Sequence, residues 1–205
     1  MRRVRVGIRP SPLAYRQAHE ALPYLEPFFP GSVFDIVRIQ TPGDLDKETP
    51  LDRLEGTDFF TRSLDEALLR GEIDSAVHSS KDLPDAMPAG LKMLLETPSL
   101  SPWDALVSRE GLKLSELSMG SRVGTSSRRR KAEVSRLRPD LRIVDTRGTI
   151  EERLEQIQQG RFDALIVAYA ALLRLGMADC VSEVFSDGLF VPHSKQGRLS
   201  VLVRI

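Results

Sequence analysis

The stretch DSAVHSSKDLP, residues 74–84, joins a short apolar segment to a polar cluster without a spacer. Ala76 and Val77 are typical of a short buried strand that gives way to the polar cluster at His78, and Pro84 cannot donate to a sheet ladder, which forbids further pairing. In open α/β sheets the chemistry lies beyond the carboxyl ends of the strands. The pattern therefore predicts a candidate site at Lys81 and Asp82, although adjacent opposite charges are also typical of a solvated loop.

Strand-like and helix-like segments alternate before and after this stretch. Apolar patterning predicts strands at 4–8, 33–39 and 91–95 and a helix at about 60–69. An earlier helix begins after Ser11, and we expect Pro23, Pro27 and Pro30 to end it. Segment 41–50 is polar and turn-rich, and we expect it to be mobile. This order is typical of an α/β unit with a mostly parallel sheet.

A second α/β unit follows the proline- and serine-containing segment 97–103. The patterns there predict strands at 104–107, 121–124, 142–144 and 164–168, with helices at 114–117, beginning within 124–131, from 150 and at 170–175. The β-rich tail, 199–205, has nothing after it to pack against and must return to an existing sheet. We therefore assign 1–98 and 197–205 to a first lobe and 99–196 to a second, with 99–103 as linker.

Composition excludes several classes of protein. The chain has 205 residues, 41% of them hydrophobic, which is enough for real cores. Basic and acidic residues both number 29, so no global field attracts nucleic acid or an anionic membrane. No apolar run has the length of a signal peptide or membrane span, and we expect a cytoplasmic protein. The single cysteine excludes an intramolecular disulfide, and three scattered histidines without ligand spacing lead us to predict no metal.

The turn after the first strand is a candidate anion site. Ser11 followed by Pro12 is typical of a helix N-cap and first helical position, which places Arg9 and Ser11 between a strand and a helix. Free N–H groups and the positive end of the helix dipole favour a carboxylate or phosphate there. The alternative is that Ser11 only caps the helix.

The sequence GTSSRRRK, residues 124–131, is the sharpest local signal. Its glycine allows close backbone approach, and hydroxyls and guanidinium forks follow at a helix start. Three consecutive arginines cannot share one helical face, so we expect one to be solvated and two to point inward. The pattern indicates an anion cradle, and the alternative is a solvated basic turn. Its candidate ligand-binding residues are Thr125, Ser126, Ser127, Arg129 and Arg130.

Three further arginines repeat this placement beyond strand ends, namely Arg147, Arg153 and Arg174. Each alone is more often a surface residue. If the strand ends of two lobes face one cleft, these cations together would bind a ligand with several carboxylates, because each charge-assisted hydrogen bond contributes roughly 1.5–3 kcal/mol. Asp82 would be the exception among them, an ionised carboxylate able to stabilise a cation forming on the ligand.

Five motifs resemble those of the hydroxymethylbilane synthase, or porphobilinogen deaminase, family in order and spacing over nearly the whole chain. They are SPLAYRQA at 11–18, VHSSKDLP at 77–84, GTSSRRR at 124–130, TRGTIEERL at 146–154 and LLRLG at 172–176. The resemblance implies two α/β lobes of the type II periplasmic-binding-protein kind, each a mixed, mostly parallel sheet flanked by helices. It implies the head-to-tail joining of four porphobilinogen units, with release of ammonia, on a dipyrromethane primer attached to a cysteine.

The resemblance also implies the roles of individual residues. Asp82 would be the catalytic carboxylate that stabilises positively charged pyrrole and azafulvene intermediates. Acetate and propionate groups of primer and substrate would be held by Arg9, Ser11, Lys81, Ser126, Ser127, Arg129, Arg130, Arg147, Arg153 and Arg174. The implied partners are porphobilinogen and the growing oligopyrrole, with no nucleic acid and no membrane, and we expect a monomer.

The chain departs from the family pattern in three places. Gly56-Thr57-Asp58-Phe59-Phe60 stands where the family has a Gly-Lys-Gly-hydrophobic-Phe loop, and 192–198 reads PHSKQGR in place of PAVGQGA. The chain stops where the family's third, cofactor-anchoring domain should begin, so we expect that domain and its attachment cysteine to be absent. Cys180 does not match that cysteine, and we interpret it as a small buried residue.

Two rival functions use the same lobes. One is a non-catalytic binder of a polycarboxylate or pyrrole that has lost the anchor domain and the loop lysine. The other is an amino-acid or anion sensor, which gives no reason for Asp82 among cations.

Overall fold

The computed structural model describes residues 1–46, 57–84, 86–186, 188 and 190–205. Contacts divide these residues into two units, which we call unit 1 (1–46, 57–100 and 197–205) and unit 2 (101–196). Each unit has its own sheet and its own core.

Unit 1 is a five-stranded sheet with helices on both faces. Its strands are β1 (Arg3–Ile8), β2 (Val33–Arg38), β3 (Ser75–Ser79), β4 (Leu91–Glu96) and β10 (Leu199–Arg204), in the order β2-β1-β3-β10-β4. Its helices are α1 (Pro12–Leu25), α2 (Pro42–Leu45) and α3 (Arg62–Leu69). The tail strand β10 inserts antiparallel between β3 and β4, which satisfies both of its edges and confirms that the tail returns to an existing sheet.

Unit 2 repeats this topology. Its strands are β5 (Asp104–Ser108), β6 (Arg122–Gly124), β7 (Arg142–Val144), β8 (Ala164–Ala168) and β9 (Glu183–Val184), in the order β7-β6-β8-β5-β9. Its helices are α4 (Arg128–Leu137), α5 (Ile150–Gln158) and α6 (Tyr169–Leu175). In each sheet four strands run in one direction, and one strand, β10 in unit 1 or β5 in unit 2, is antiparallel to them. The prediction of mixed, mostly parallel sheets is therefore confirmed.

Alternation along the strands builds a core on each face of each sheet. In unit 1, Val77 packs with the apolar face of α1, whereas its neighbour Ala76 packs with α3. Unit 2 has the same division, with Ile166 on one face and Leu165 on the other. Because helices cover both faces, the remaining places for polar function are the strand ends.

Sequence signals explain most element boundaries. The Ser11 Oγ accepts a hydrogen bond from the Ala14 N–H at 3.1 Å, and Thr149 and Glu152 form a reciprocal capping box on α5. Gly176 ends α6 with φ of 70°, a left-handed conformation that suits glycine.

Three local predictions were wrong. Helix α1 runs past Pro23 to Leu25, since a proline removes only its own N–H and the Glu26 N–H still donates to the Leu22 carbonyl. Strand β3 includes His78 and Ser79, because β10 pairs with it as far as Ser79. The segment predicted to be turn-rich contains the helix α2; residues 47–50 of it lie outside the described residues, and its mobility stays a prediction.

Among the described residues, no helix is long and apolar enough to cross a membrane. Nor do three or more His, Cys, Asp or Glu side chains of the described residues group as a metal site would require.

Candidate functional site

In unit 1, three of the predicted residues line one small cavity at the carboxyl ends of β1 and β3. Arg9 and Ser11 follow β1, and Asp82 ends a single 3₁₀ turn, Ser80–Asp82, that follows β3. The cavity holds about 70 Å³, and its other polar lining residues are Gln17, Thr61, His78 and Ser79. Lys81, also predicted, lies half-buried in the same turn.

The 3₁₀ turn separates an inward residue from an outward one. Ser80 is buried, and its Oγ lies 2.7 Å from the Oγ of Ser200 on β10. Asp82, two residues later, is exposed. Ser80 thus fixes the turn to the sheet, and the carboxylate of Asp82 stays accessible at the edge of the cavity.

Arg9 has two partners that the sequence analysis missed. Its Nε and Nη2 donate to Asp44 Oδ1 at 3.0 and 2.5 Å, and its guanidinium lies 4.5 Å from the centre of the Phe60 ring. Burial alone would raise the pKa of Asp44, but Arg9 and hydrogen bonds from Thr41 outweigh it and hold that pKa below its ordinary value. Thr41 is the N-cap of α2, and its N–H and Oγ1 both donate to the Asp44 carboxylate. The T-P-G-D pattern at 41–44 was therefore the sequence signal that could have predicted this helix start.

His78 is a buried imidazole in the cavity wall. Its side chain is desolvated and Arg9 adds a positive charge nearby, which together lower its pKa to about 4. Its Nε2 has no hydrogen-bond partner among the described residues. His78 is therefore neutral near pH 7 and adds no positive charge to the cavity.

In unit 2, the turn after β6 places three hydroxyl residues at the start of α4. Thr125 is buried, and its N–H donates to the Val144 carbonyl at 2.9 Å. Ser126 Oγ donates to the Thr146 carbonyl at 2.5 Å and accepts from the Thr146 N–H at 2.8 Å, which ties this turn to the one after β7. Ser127 stands at the N-cap of α4 without a side-chain cap bond.

The first turn of α4 carries three arginines with different environments. Arg128 is exposed, Arg129 half-buried and Arg130 buried, which confirms that one arginine is solvated and two point inward. Arg129 and Arg130 both pair with Asp104 at the start of β5, at 2.5 and 2.7 Å. The sequence analysis missed this carboxylate, because Asp104 lies 25 residues from Arg129 and no local pattern links them.

Asp104 is the centre of a buried network. Burial alone would raise its pKa, but the charges of Arg130 and Arg129 outweigh burial and hold the pKa below its ordinary value. Gln196 donates to Asp104 Oδ1 at 2.9 Å and accepts from Arg130 Nη2 at 3.2 Å. Gln196 lies in segment 192–198, which departs from the family pattern at other positions, and it completes this buried polar network.

The remaining predicted arginines are spread over unit 2. Arg147 lies in the turn after β7, where its carbonyl accepts from Gln156 at 3.3 Å. Arg153 is on the first turns of α5, and its Nε donates to the Gly148 carbonyl at 2.9 Å. Arg174 lies in the last turn of α6, a helix length beyond the end of β8. The convergence of these cations with those of unit 1 on one ligand stays a prediction.

The other departures have local structural roles. Asp58, the acid that replaces a family loop residue, pairs with Arg62 at 2.8 Å at the start of α3, and Gly56 lies outside the described residues. Cys180 was predicted to be buried, and this was wrong. It is exposed because its 3₁₀ turn after α6 lies at the surface, where its N–H and its Sγ both donate to the Met177 carbonyl.

Comparisons with solved structures bear on the fold. The chain is similar to the periplasmic aliphatic sulphonate binding protein of Escherichia coli, with a TM-score of 0.52 at 20% identity over 100% of this chain and 62% of that one. It is also similar to a methionine binding protein, with a TM-score of 0.57 at 14% identity over 98% of this chain and 83% of that one. At these identities only the fold is shared, and the predicted periplasmic-binding-protein fold is confirmed.

Comparisons of sequence bear on the family. Residues 4–205 match the family model described as porphobilinogen deaminase, dipyromethane cofactor binding domain. The porphobilinogen deaminase of Geobacter metallireducens is 42% identical over 100% of this chain, and that of Pelotomaculum thermopropionicum is 43% identical over 99%. The chain spans 64% and 65% of the length of these two relatives. This chain therefore belongs to the porphobilinogen deaminase family.

Proposed function

We propose that this chain carries out hydroxymethylbilane synthase chemistry, the stepwise head-to-tail condensation of four porphobilinogen units with release of ammonia in tetrapyrrole biosynthesis. One observation carries the proposal. An exposed carboxylate, Asp82, lines the same cavity as Arg9 and Ser11 at the end of the central strand of unit 1. The match to the family over residues 4–205 supports it.

Asp82 has the properties that this reaction needs. When ammonia leaves the aminomethyl group of porphobilinogen, positive charge develops on the pyrrole. A fixed carboxylate beside that charge stabilises the transition state more than the ground state. The 3₁₀ turn anchored by Ser80 holds Asp82 in place, and neutral His78 adds no competing positive charge at pH 7.

Arg9 and Ser11 would hold the carboxylates of the substrate beside Asp82. Arg9 is positioned before binding by Asp44 and Phe60, so little side-chain entropy is lost when a ligand carboxylate arrives. Lys81, in the same turn as Asp82, would contribute a further cation.

The donors in unit 2 fit the carboxylates of a dipyrromethane. The turn before α4 offers guanidinium groups, hydroxyls and a helix N-terminus, and the buried Thr125 Oγ1 lacks a partner among the described residues. When bound, a dipyrromethane supplies the pyrrole carbon to which the first porphobilinogen is joined. The residues proposed to hold it are Thr125, Ser126, Ser127, Arg129, Arg130, Arg147, Arg153 and Arg174. The proposal also includes a cytoplasmic location and a monomeric state.

Ammonia release tests the proposal against a binder of the same ligand. The purified chain is incubated with porphobilinogen, with and without an added dipyrromethane, and ammonia release, calorimetric binding and intact mass are measured. Ammonia release, or a covalent adduct of dipyrromethane size on protein purified from cells, supports the enzyme. Porphobilinogen binding without ammonia release under both conditions would contradict the enzyme and favour a non-catalytic polycarboxylate binder.

A further inference from the structure

Arg129 and Arg130 depend on one carboxylate for their orientation. The Asp104 side chain is 0% exposed, and both of its oxygens are used. Oδ2 accepts from Arg129 Nη2 at 2.5 Å, and Oδ1 accepts from Arg130 Nε at 2.9 Å. These two arginines are adjacent on α4, so a single buried acid fixes both guanidinium groups.

The two arginines are held to different degrees. The Arg130 side chain is 10% exposed, and it also donates to the Ile166 carbonyl and to Gln196. Arg129 is 24% exposed, donates to the Val191 carbonyl through Nη1, and lies 5.9 Å from the centre of the Phe190 ring. Its Nε has no hydrogen-bond acceptor among the described residues. Arg130 is therefore enclosed in the network, whereas Arg129 is the more exposed of the two and has one donor, Nε, outside the network.

Electrostatics explain why an acid is needed there. Neighbouring guanidinium groups repel each other, and both stand in the first turn of α4, where the helix dipole is also positive. No acidic residue occupies that first turn. Asp104 reaches this turn from β5. Together with Arg129 and Arg130 it leaves one net positive charge, which suits a single ligand carboxylate.

We propose that Asp104 is a positioning residue that sets the Arg129 guanidinium for one carboxylate of a pyrrole ligand. Asp104 itself does not touch the ligand, since its side chain is fully buried. This inference rests on the proposed function, because it assigns a ligand carboxylate to Arg129.

Binding of an added dipyrromethane to Asp104→Asn tests the assignment without requiring turnover. The asparagine keeps the shape but removes the charge that aligns Arg129, so the dissociation constant should rise about tenfold, as expected for one charge-assisted hydrogen bond. Calorimetry is run below the melting temperature of the variant. Unchanged affinity in a folded Asp104→Asn protein would overturn the proposal.

A double-mutant cycle separates positioning from general structural damage. In an Arg129→Gln background, Asp104→Asn should change the dissociation constant by no more than about twofold, because the residue through which it acts is gone. Equal losses in the two backgrounds would contradict action through Arg129. A wild-type protein that binds porphobilinogen but releases no ammonia would instead refute the proposed enzyme and leave this test intact.

If Asp104→Asn does not fold, guanidinium NMR on the wild type decides the question. The Arg129 signal should show restricted rotation about Nε–Cζ and should shift when the dipyrromethane is added. Arg161, an exposed arginine of the same unit, is the control and should rotate freely. An Arg129 signal as freely averaged as that of Arg161, or one insensitive to the dipyrromethane, would overturn the proposal.

Discussion

Units 1 and 2 share one topology but arrange different groups at equivalent strand ends. After the first parallel strand of each sheet, β1 or β6, a turn leads into a helix and presents an arginine that is already paired with a carboxylate. In unit 1 the partner is Asp44, on the short helix α2, and the Arg9 side chain is 31% exposed. In unit 2 the partner is Asp104, fully buried under two arginines.

The residues that follow the central strands, β3 and β8, differ more between the two units. The residues after β3 include the exposed Asp82, whereas α6 follows β8 directly and has no acid in its first turn. Unit 1 thus has an accessible carboxylate after its central strand, whereas in unit 2 the exposed acid at a strand end, Asp145 after β7, is paired with Lys131 at 2.7 Å. One topology can therefore be used once for reaction and once for binding, depending on a few residues at the strand ends.

Removing the charge of each arginine partner gives the largest expected difference in stability. Asp104→Asn leaves the buried Arg130 and the half-buried Arg129 with little compensation and should lower the free energy of unfolding by about 3–5 kcal/mol. Asp44→Asn should lower it by about 1–2 kcal/mol, because Arg9 stays partly solvated and rests on Phe60. Denaturant unfolding of both variants measures this. Equal losses would show that the two arginine sites are energetically alike.

Acid should weaken unit 1 through His78. Its pKa is about 4 in the folded chain and near 6.5 when unfolded, so the unfolded state binds more protons between these values. Stability should therefore fall by about 3 kcal/mol as pH drops from 6.5 to 4. Asp44, Asp74 and Asp104, whose pKa values are lowered, lose their contributions mainly below that window.

His78→Asn is the matched variant for this pH dependence. Asparagine does not titrate, so chemical denaturation at pH 7 and pH 4.5 should give a smaller difference than in the wild type. A wild-type pH slope retained in His78→Asn would assign the acid sensitivity to other groups.

The equivalent N-caps of α1 and α4 give the smallest expected difference. Ser11→Ala removes an observed side-chain cap and should cost about 1 kcal/mol of stability. Ser127→Ala removes no such bond and should have little effect on thermal unfolding. Similar melting shifts for both variants would remove this distinction between the two turns.

Local chemistry made much of the fold predictable. Helix ends were predictable where the capping contacts are local in sequence. This is the case for Ser11-Pro12 at α1, Thr149 with Glu152 at α5, and Gly176 at α6. The tail strand was predictable because its apolar residues had no later segment to cover them.

What could not be predicted depends on contacts distant in sequence. From neighbouring residues alone, Asp104 is an ordinary strand start and Asp44 an ordinary turn residue. Only folding brings each of them within 2.5 Å of an arginine. His78 appeared to follow the strand because its pairing with Ser200 lies over a hundred residues away. Cys180 was wrongly predicted to be buried, because residue type alone does not show which side of a turn faces solvent.

The most direct test of the account measures ammonia release and porphobilinogen affinity on the same preparation of Asp82→Asn, with Asp179→Asn, an exposed acid of unit 2, as control. If Asp82 stabilises developing positive charge, ammonia release should fall by about 10²- to 10³-fold. The dissociation constant should change little, and the control should match the wild type. Ammonia release at the wild-type rate in Asp82→Asn would contradict the central claim.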